Sequence, residues 1–156
     1  CTAVVACITP LYIICCNAGD SRCVMGTAGT TKPLSEDHKP TDEGEKRRIE
    51  AAGGTVSWKR VDGDLAVSRA FGDFQYKTRP DLPAEQQKVT CDPDITVHER
   101  TPSDDVLILG CAGMTAFRSD LDCVELARDI FAGGETNMQL VAEEIVDTSM
   151  NKGMEE

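Results

Sequence analysis

No apolar run in this sequence is long enough to span a bilayer, so a membrane-spanning helix is not expected within it. Residues 1–16 are apolar but lack a basic leader and contain Pro10, which argues against a secretory signal. Positive charge is scarce. Sixteen Lys and Arg stand against 27 Asp and Glu, a formal net charge of −11. Nucleic acid and anionic membrane are therefore not the expected partners, whereas divalent cations and basic protein surfaces suit such a field. Histidine is limited to His38 and His98, and none of the eight cysteines has the C-x2-C spacing that zinc sites use. Several cysteines sit in apolar runs, where a thiol acts as a small hydrophobe. Reduced cysteines in an intracellular, cytoplasmic protein are the expectation. There is no internal repeat and no low-complexity tract.

What is present is enough for one packed domain: 156 residues, 40% hydrophobic and 28% charged. Residues 2–8, 11–16 and 22–25 are β-rich, and Ala18-Gly19-Asp20-Ser21 between the second and third reads as a tight hairpin. Residues 26–32 form a small-residue turn and 33–40 an extended connector. Asp42 with Glu45 reads as a capping box for a helix that Gly53-Gly54 stops. Trp58 is expected to pack in the core or against a loop. Residues 65–70 read as a strand or short helix, and 89–91 and 95–97 as short strands. Residues 74–90 hold two prolines and many charges without a period, the signature of a long surface loop that serves as a lid or partner surface.

Residues 106–109 form an apolar run behind the turn-like Pro102-Ser103-Asp104-Asp105, a buried strand rather than a buried helical piece. It runs out into a loop that delivers Cys111, Ala112, Met114, Thr115 and Ala116. None of these is a carboxylate, a histidine or a strong base. Ser119 with Asp122 caps a following helix that Gly133-Gly134 ends. Thr136-Asn137-Met138-Gln139 reads as a capping box for another, with Met138, Val141, Ala142, Ile145 and Ser149 facing inward. The order of elements predicts an α+β fold with a largely antiparallel sheet.

Four stretches then line up in order with one family: Asn17-Ala18-Gly19-Asp20-Ser21-Arg22, Leu34-Ser35-Glu36-Asp37-His38-Lys39-Pro40, Arg48-Ile49-Glu50-Ala51-Ala52-Gly53-Gly54, and Leu65-Ala66-Val67-Ser68-Arg69-Ala70-Phe71-Gly72-Asp73. Together with Asp92-Pro93-Asp94-Ile95 and the strand at 106–109 they resemble the metal-dependent serine/threonine protein phosphatases of the 2C type. The resemblance covers nearly the whole chain. It implies a sandwich of two antiparallel β-sheets with helices on both outer faces. It also implies hydrolysis of phosphoserine and phosphothreonine with two Mg²⁺ or Mn²⁺ ions, whose hard charges need converging carboxylates. Residues 1–156 are read as one partial domain, without an N-terminal segment carrying an Asp-Gly-His-Gly motif and without a final strand.

The departures matter as much as the match. Where the family has Asp-Gly and then Trp-Asp, this sequence has Ala112-Gly113 and Thr115-Ala116. The resemblance leaves Asp20 and Asp73 as metal-side carboxylates, and Arg69, His38 and Lys77 as a substrate or partner surface. The expectation is an inactive relative, a pseudophosphatase that binds no metal and serves as a protein-binding or scaffolding module. The rival readings are an active phosphatase acting on phosphoproteins with ligands outside this segment, and a structural subunit of a larger assembly.

Overall fold

The computed structural model describes residues 1–155, apart from the side chains of 115–117 and 152–155. Strands form where the β-rich runs stand, but they pair differently from what the local turns imply. β1 (Ala3–Ile8) turns through Thr9 into β2 (Tyr12–Ala18), and β7 (Asp94–Glu99) adds antiparallel to the other edge of β2. β3 (Arg22–Thr27) folds back as β4 (Thr30–Pro33), and β8 (Asp104–Gly110) pairs with its other edge. The result is two three-stranded antiparallel sheets, β1-β2-β7 and β4-β3-β8.

The expected hairpin across Gly19-Asp20 is therefore absent: β2 and β3 belong to different sheets. Ile13 and Cys15 on one inner face pack with Cys23, Met25 and Leu34 on the other, each at most 5% exposed. Burying such side chains stabilises by about 1.5–3 kcal/mol for each large aliphatic one, more than a tight turn offers. Gly19 makes the crossing possible. Its φ is +114°, and a Cβ there would lie 2.3 Å from Thr2 Cγ2. Burial pushes the facing thiols of Cys15 and Cys23 up, Cys23 to about 12, so both stay neutral and act as small core hydrophobes. The residues expected to be only a turn, 26–32, hold the end of β3 and most of β4. Ala28 and Gly29 supply positive φ of 47° and 77°, as a two-residue hairpin requires.

The sandwich is also fastened at its edge by polar groups. His98 on β7 places Nε2 2.9 Å from Asp104 Oδ2 on β8 and Nδ1 3.1 Å from Lys32 Nζ on β4. Backbone donation from Thr101 holds the Asp104 carboxyl far below the usual range, and His98 adds to this.

α3 (Asp120–Ala132) and α4 (Met138–Glu155) cover the outer face of the second sheet, burying Cys123, Ala127, Val141 and Ile145 against Val106 and Ile108. α3 starts with the expected capping box of Ser119 and Asp122. α4 does not start with Thr136. Asn137 Oδ1 accepts from Gln139 N instead, and Met138, expected on the inward stripe, is 61% exposed. The small-residue loop expected after β8 is a short helix, α2 (Ala112–Phe117). On the outer face of the first sheet, Val5, Ile95 and Val97 are exposed.

α1 (Glu43–Ala51) builds a second small core: Ile49 meets Val61, Ala70, Tyr76 and Val89. Gly53, at φ +82°, ends the helix as its sequence predicts. The capping box does not form, because Asp42 accepts from the backbone of Lys39 and Glu45 turns inward. β5 (Val56–Ser57) and β6 (Arg60–Val61) form a hairpin whose turn, Trp58-Lys59, has φ of 50° and 62°. Trp58 stands 87% exposed at its tip rather than packed. Residues 65–70 form neither strand nor helix, only single bridges from Val61 to Leu65 and from Arg69 to Thr90. No described helix is long and apolar enough to cross a membrane.

Candidate functional site

β8 carries the chain from the helix-covered face of the sandwich to Cys111 and Ala112. At that exit Met114 folds back over Gly110, its Cε 2.5 Å from where a Cβ would stand. Ala112 opens α2 and is exposed. Beside it lies an apolar cavity of about 370 Å³ lined by Ile108, Cys111, Met114, Ile145, Val146 and Met150, without a charged side chain. The side chain of Ala116 lies outside the described residues. Hard divalent cations bind carboxylate and carbonyl oxygen, and methyl and thioether groups supply neither. Among the described residues no three His, Cys, Asp or Glu side chains converge in a way that could hold a metal ion. The donor set present here does not fit a two-metal centre.

Asp20 lies at the crossing between the two sheets, half-buried. Its carboxylate makes no hydrogen bond or ion pair among the described residues. Neighbouring groups shape that corner. Ser21 Oγ lies 2.9 Å from Thr2 Oγ1, and Phe71 N donates to Cys1 O at 2.7 Å. Asp73 follows Gly72 in the left-handed region, φ 50°, and its carbonyl accepts from Tyr76 N at 3.0 Å, which shapes a single 3-10 turn. Both aspartates thus hold turn positions; neither meets enough other carboxylates to form a site.

Arg69 and His38 are drawn together, but inward. His38 is 4% exposed. Its Nδ1 accepts from Gly19 N at 3.1 Å, which leaves the Nε2 hydrogen for Asp94 Oδ2 at 3.0 Å. Arg69 forks onto Glu45 Oε1 at 2.8 and 3.1 Å and reaches Asp94 Oδ1 at 2.8 Å. Glu45 Oε2 takes Arg48 at 2.8 Å and the Ser68 hydroxyl. Burial opposes ionisation of Glu45, yet the donors from Arg69 and Ser68 and the charge on Arg48 hold it ionised, below its ordinary range. Asp94 is likewise held down against burial by His38 and Arg69. Arg69 therefore has all three of its guanidinium nitrogens engaged, and His38 stands in the chain's interior. The network joins the sheet crossing, the 33–40 connector, α1 and residues 65–70 and 87–94, so the sequence motifs converge on one buried scaffold. Sequence reading missed Glu45, Asp94 and Arg48 as its hub. Charged residues at i, i+3 and i+4 on a helix read as a solvated face, and nothing local marks Glu45 as the buried one.

A second charged junction lies nearby. Arg22 donates to both oxygens of Asp37, at 2.7 and 3.2 Å, and to Asp120 at 3.1 Å, tying β3 to the connector and to the start of α3. Those bonds raise its already high pKa, so it carries charge at every accessible pH.

Within the loop 74–90, Gln87 makes the most internal side-chain hydrogen bonds. Gln87, 6% exposed, accepts from Arg79 N at 3.1 Å and donates to Arg79 O and Leu82 O at 2.7 and 2.8 Å. Arg48 Nε donates to Gln87 O at 3.1 Å, and Arg79 reaches Ala52 O at 3.1 Å. Lys77 donates to Ala70 O at 2.7 Å and lies 5.9 Å from the Phe74 ring centre. Gln87→Ala removes the side-chain partners of Arg79 N and Leu82 O, while Arg79 O keeps its bond from Leu82 N at 3.2 Å, a loss of about 1–3 kcal/mol. We expect amide hydrogen exchange to rise across 77–87 while β2 and β3 stay protected. Unchanged exchange in the loop would show that Gln87 does not order it.

The comparisons with known proteins agree with this architecture. The family model described as Protein phosphatase 2C matches residues 1–156. Protein phosphatase 2C homolog 2 of Aspergillus fumigatus is 46% identical over 155 residues, which cover 99% of this chain and 36% of that protein. The homolog 2 of Schizosaccharomyces pombe is 45% identical, with 94% and 40% covered. The chain thus spans well under half the length of these relatives. A solved phosphatase from Toxoplasma gondii superposes with a TM-score of 0.82 at 35% identity, covering 90% of this chain and 44% of that one. A serine-threonine phosphatase 2C from the same organism gives 0.80 at 26% identity, covering 97% and 54%. The buried motif network, the two antiparallel sheets and these matches together place the chain in the protein phosphatase 2C family.

Proposed function

We propose that this phosphatase-family domain does not hydrolyse phosphoesters and acts by binding other proteins. The observation that carries the reading is Ala112 at the exit of β8, beside an apolar cavity and with no convergent carboxylates among the described residues. The family is metal-dependent in general, and its substrates are phosphoproteins. A cation pair in this corner would rest on Asp20 and on groups elsewhere. One carboxylate cannot neutralise two dications. Asp73, Arg69 and His38 then serve the scaffold, and Lys77 belongs to a partner surface.

One observation favours the rival, an active enzyme: Asp20 keeps an unengaged carboxylate at the sheet crossing. Calorimetric titration of the intact protein with Mn²⁺ separates the two. No saturable heat is expected in the micromolar to low-millimolar range. Two-site binding that Asp20→Asn weakens would decide for the active enzyme.

A further inference from the structure

We infer that the loop 74–90 forms a docking groove for an acidic peptide segment carrying an apolar side chain. This inference rests on the protein-binding reading above. The groove measures about 500 Å³, and Phe74, Lys77, Arg79, Pro80, Leu82 and Cys91 are among its walls. In a chain of net charge −11, its charged walls are Lys77 and Arg79 and no carboxylate lines it. That local reversal of sign is the charge complementarity an anionic ligand needs.

Lys77 has donors to spare, and Arg79 faces the groove from an exposed ion pair. Lys77 uses one N–H on Ala70 O, and an ammonium has two more to offer. Arg79 donates through Nε and Nη2 to Asp81 on the rim, at 2.9 and 2.6 Å, but that pair is open to water, with side chains 41% and 59% exposed, so a ligand anion competes with Asp81 for the guanidinium. The apolar half of the site is Phe74, 78% exposed, together with Pro80 and Leu82. The groove is preorganised, because Gln87 has already fixed the loop and little ordering is left for binding. An anion between Lys77 and Arg79, with its neighbouring aromatic or aliphatic side chain on Phe74, satisfies both halves. The anion is a carboxylate or a phosphate, and the groove chemistry is common to both.

The test is fluorescence anisotropy with the intact protein and labelled short peptides. One peptide has glutamates flanking a phenylalanine, and a second has phosphoserine in place of one glutamate. A third has lysines for the glutamates, and a fourth has glycine for the phenylalanine. The first two are expected to bind and the others not, with affinity falling as salt rises. Tighter binding of the phosphoserine peptide assigns the anion to phosphate; equal binding assigns it to carboxylate. Joint Lys77→Glu and Arg79→Glu should weaken binding at least about tenfold, and Phe74→Ser comparably. Should the double variant misfold, Lys77→Met with Phe74→Ser serves in its place, thermal melting confirming the fold. Equal binding of the lysine peptide, or full affinity in folded variants, overturns the inference. Metal-dependent turnover alongside the expected peptide binding would sink the inactive reading and leave the groove standing.

Discussion

The intact protein is expected to show no Mn²⁺- or Mg²⁺-dependent hydrolysis of an aryl phosphate or a phosphopeptide. Two divalent cations about 4 Å apart repel each other strongly and coexist only among anionic oxygens. At the end of β8 the chain supplies Ala112, and by sequence Ala116, where the resemblance places carboxylates. Lost charge there removes the main source of rate in this kind of reaction, worth several kcal/mol of transition-state stabilisation. Steady-state assays across metal concentrations check it. Joint Ala112→Asp and Ala116→Asp should restore metal binding only if the rest of the site provides the other ligands. Turnover by the unaltered protein that a chelator abolishes refutes the inactive reading.

Removing Glu45 should be the most damaging single change to stability. Glu45→Ala leaves Arg69 and Arg48, whose side chains are 15% and 13% exposed, facing each other without their shared anion. Breaking a buried pair in this way costs about 3–5 kcal/mol, or roughly 6–20 °C in melting temperature for a domain of this size. The same group sets a pH dependence. Its folded pKa lies below its unfolded value of about 4.3, so its contribution is complete above that pH and is lost as pH falls through the folded pKa. Asp37, Asp94 and Asp104 are lowered as well and add to the loss. Melting temperature should hold steady between neutral pH and about pH 5 and then fall. Glu45→Gln should start lower and fall less steeply. If Glu45→Ala melts within a few degrees of the parent, the network is not the scaffold described here.

Composition, the β-rich runs and the order of motifs were enough to determine the family and the α+β class, because these depend only on which residues stand in which order. Element types with strong local signals were also legible: Ser119 and Asp122 cap α3, and Gly53 ends α1. Pairing was not. Asn17 to Ser21 looks like a hairpin because turn chemistry is local, whereas the sheet to which β3 belongs is decided by Cys23 and Met25 meeting Ile13 and Cys15. The role of Glu45 was hidden for the same reason, since a helix surface in sequence does not say which side the neighbours occupy. Gln87, an ordinary polar residue in an aperiodic stretch, acquires its meaning only when the chain brings the carbonyls of Arg79 and Leu82 to it. Burial and long-range hydrogen bonding are properties of the folded neighbourhood, and those are what the tertiary structure alone decided.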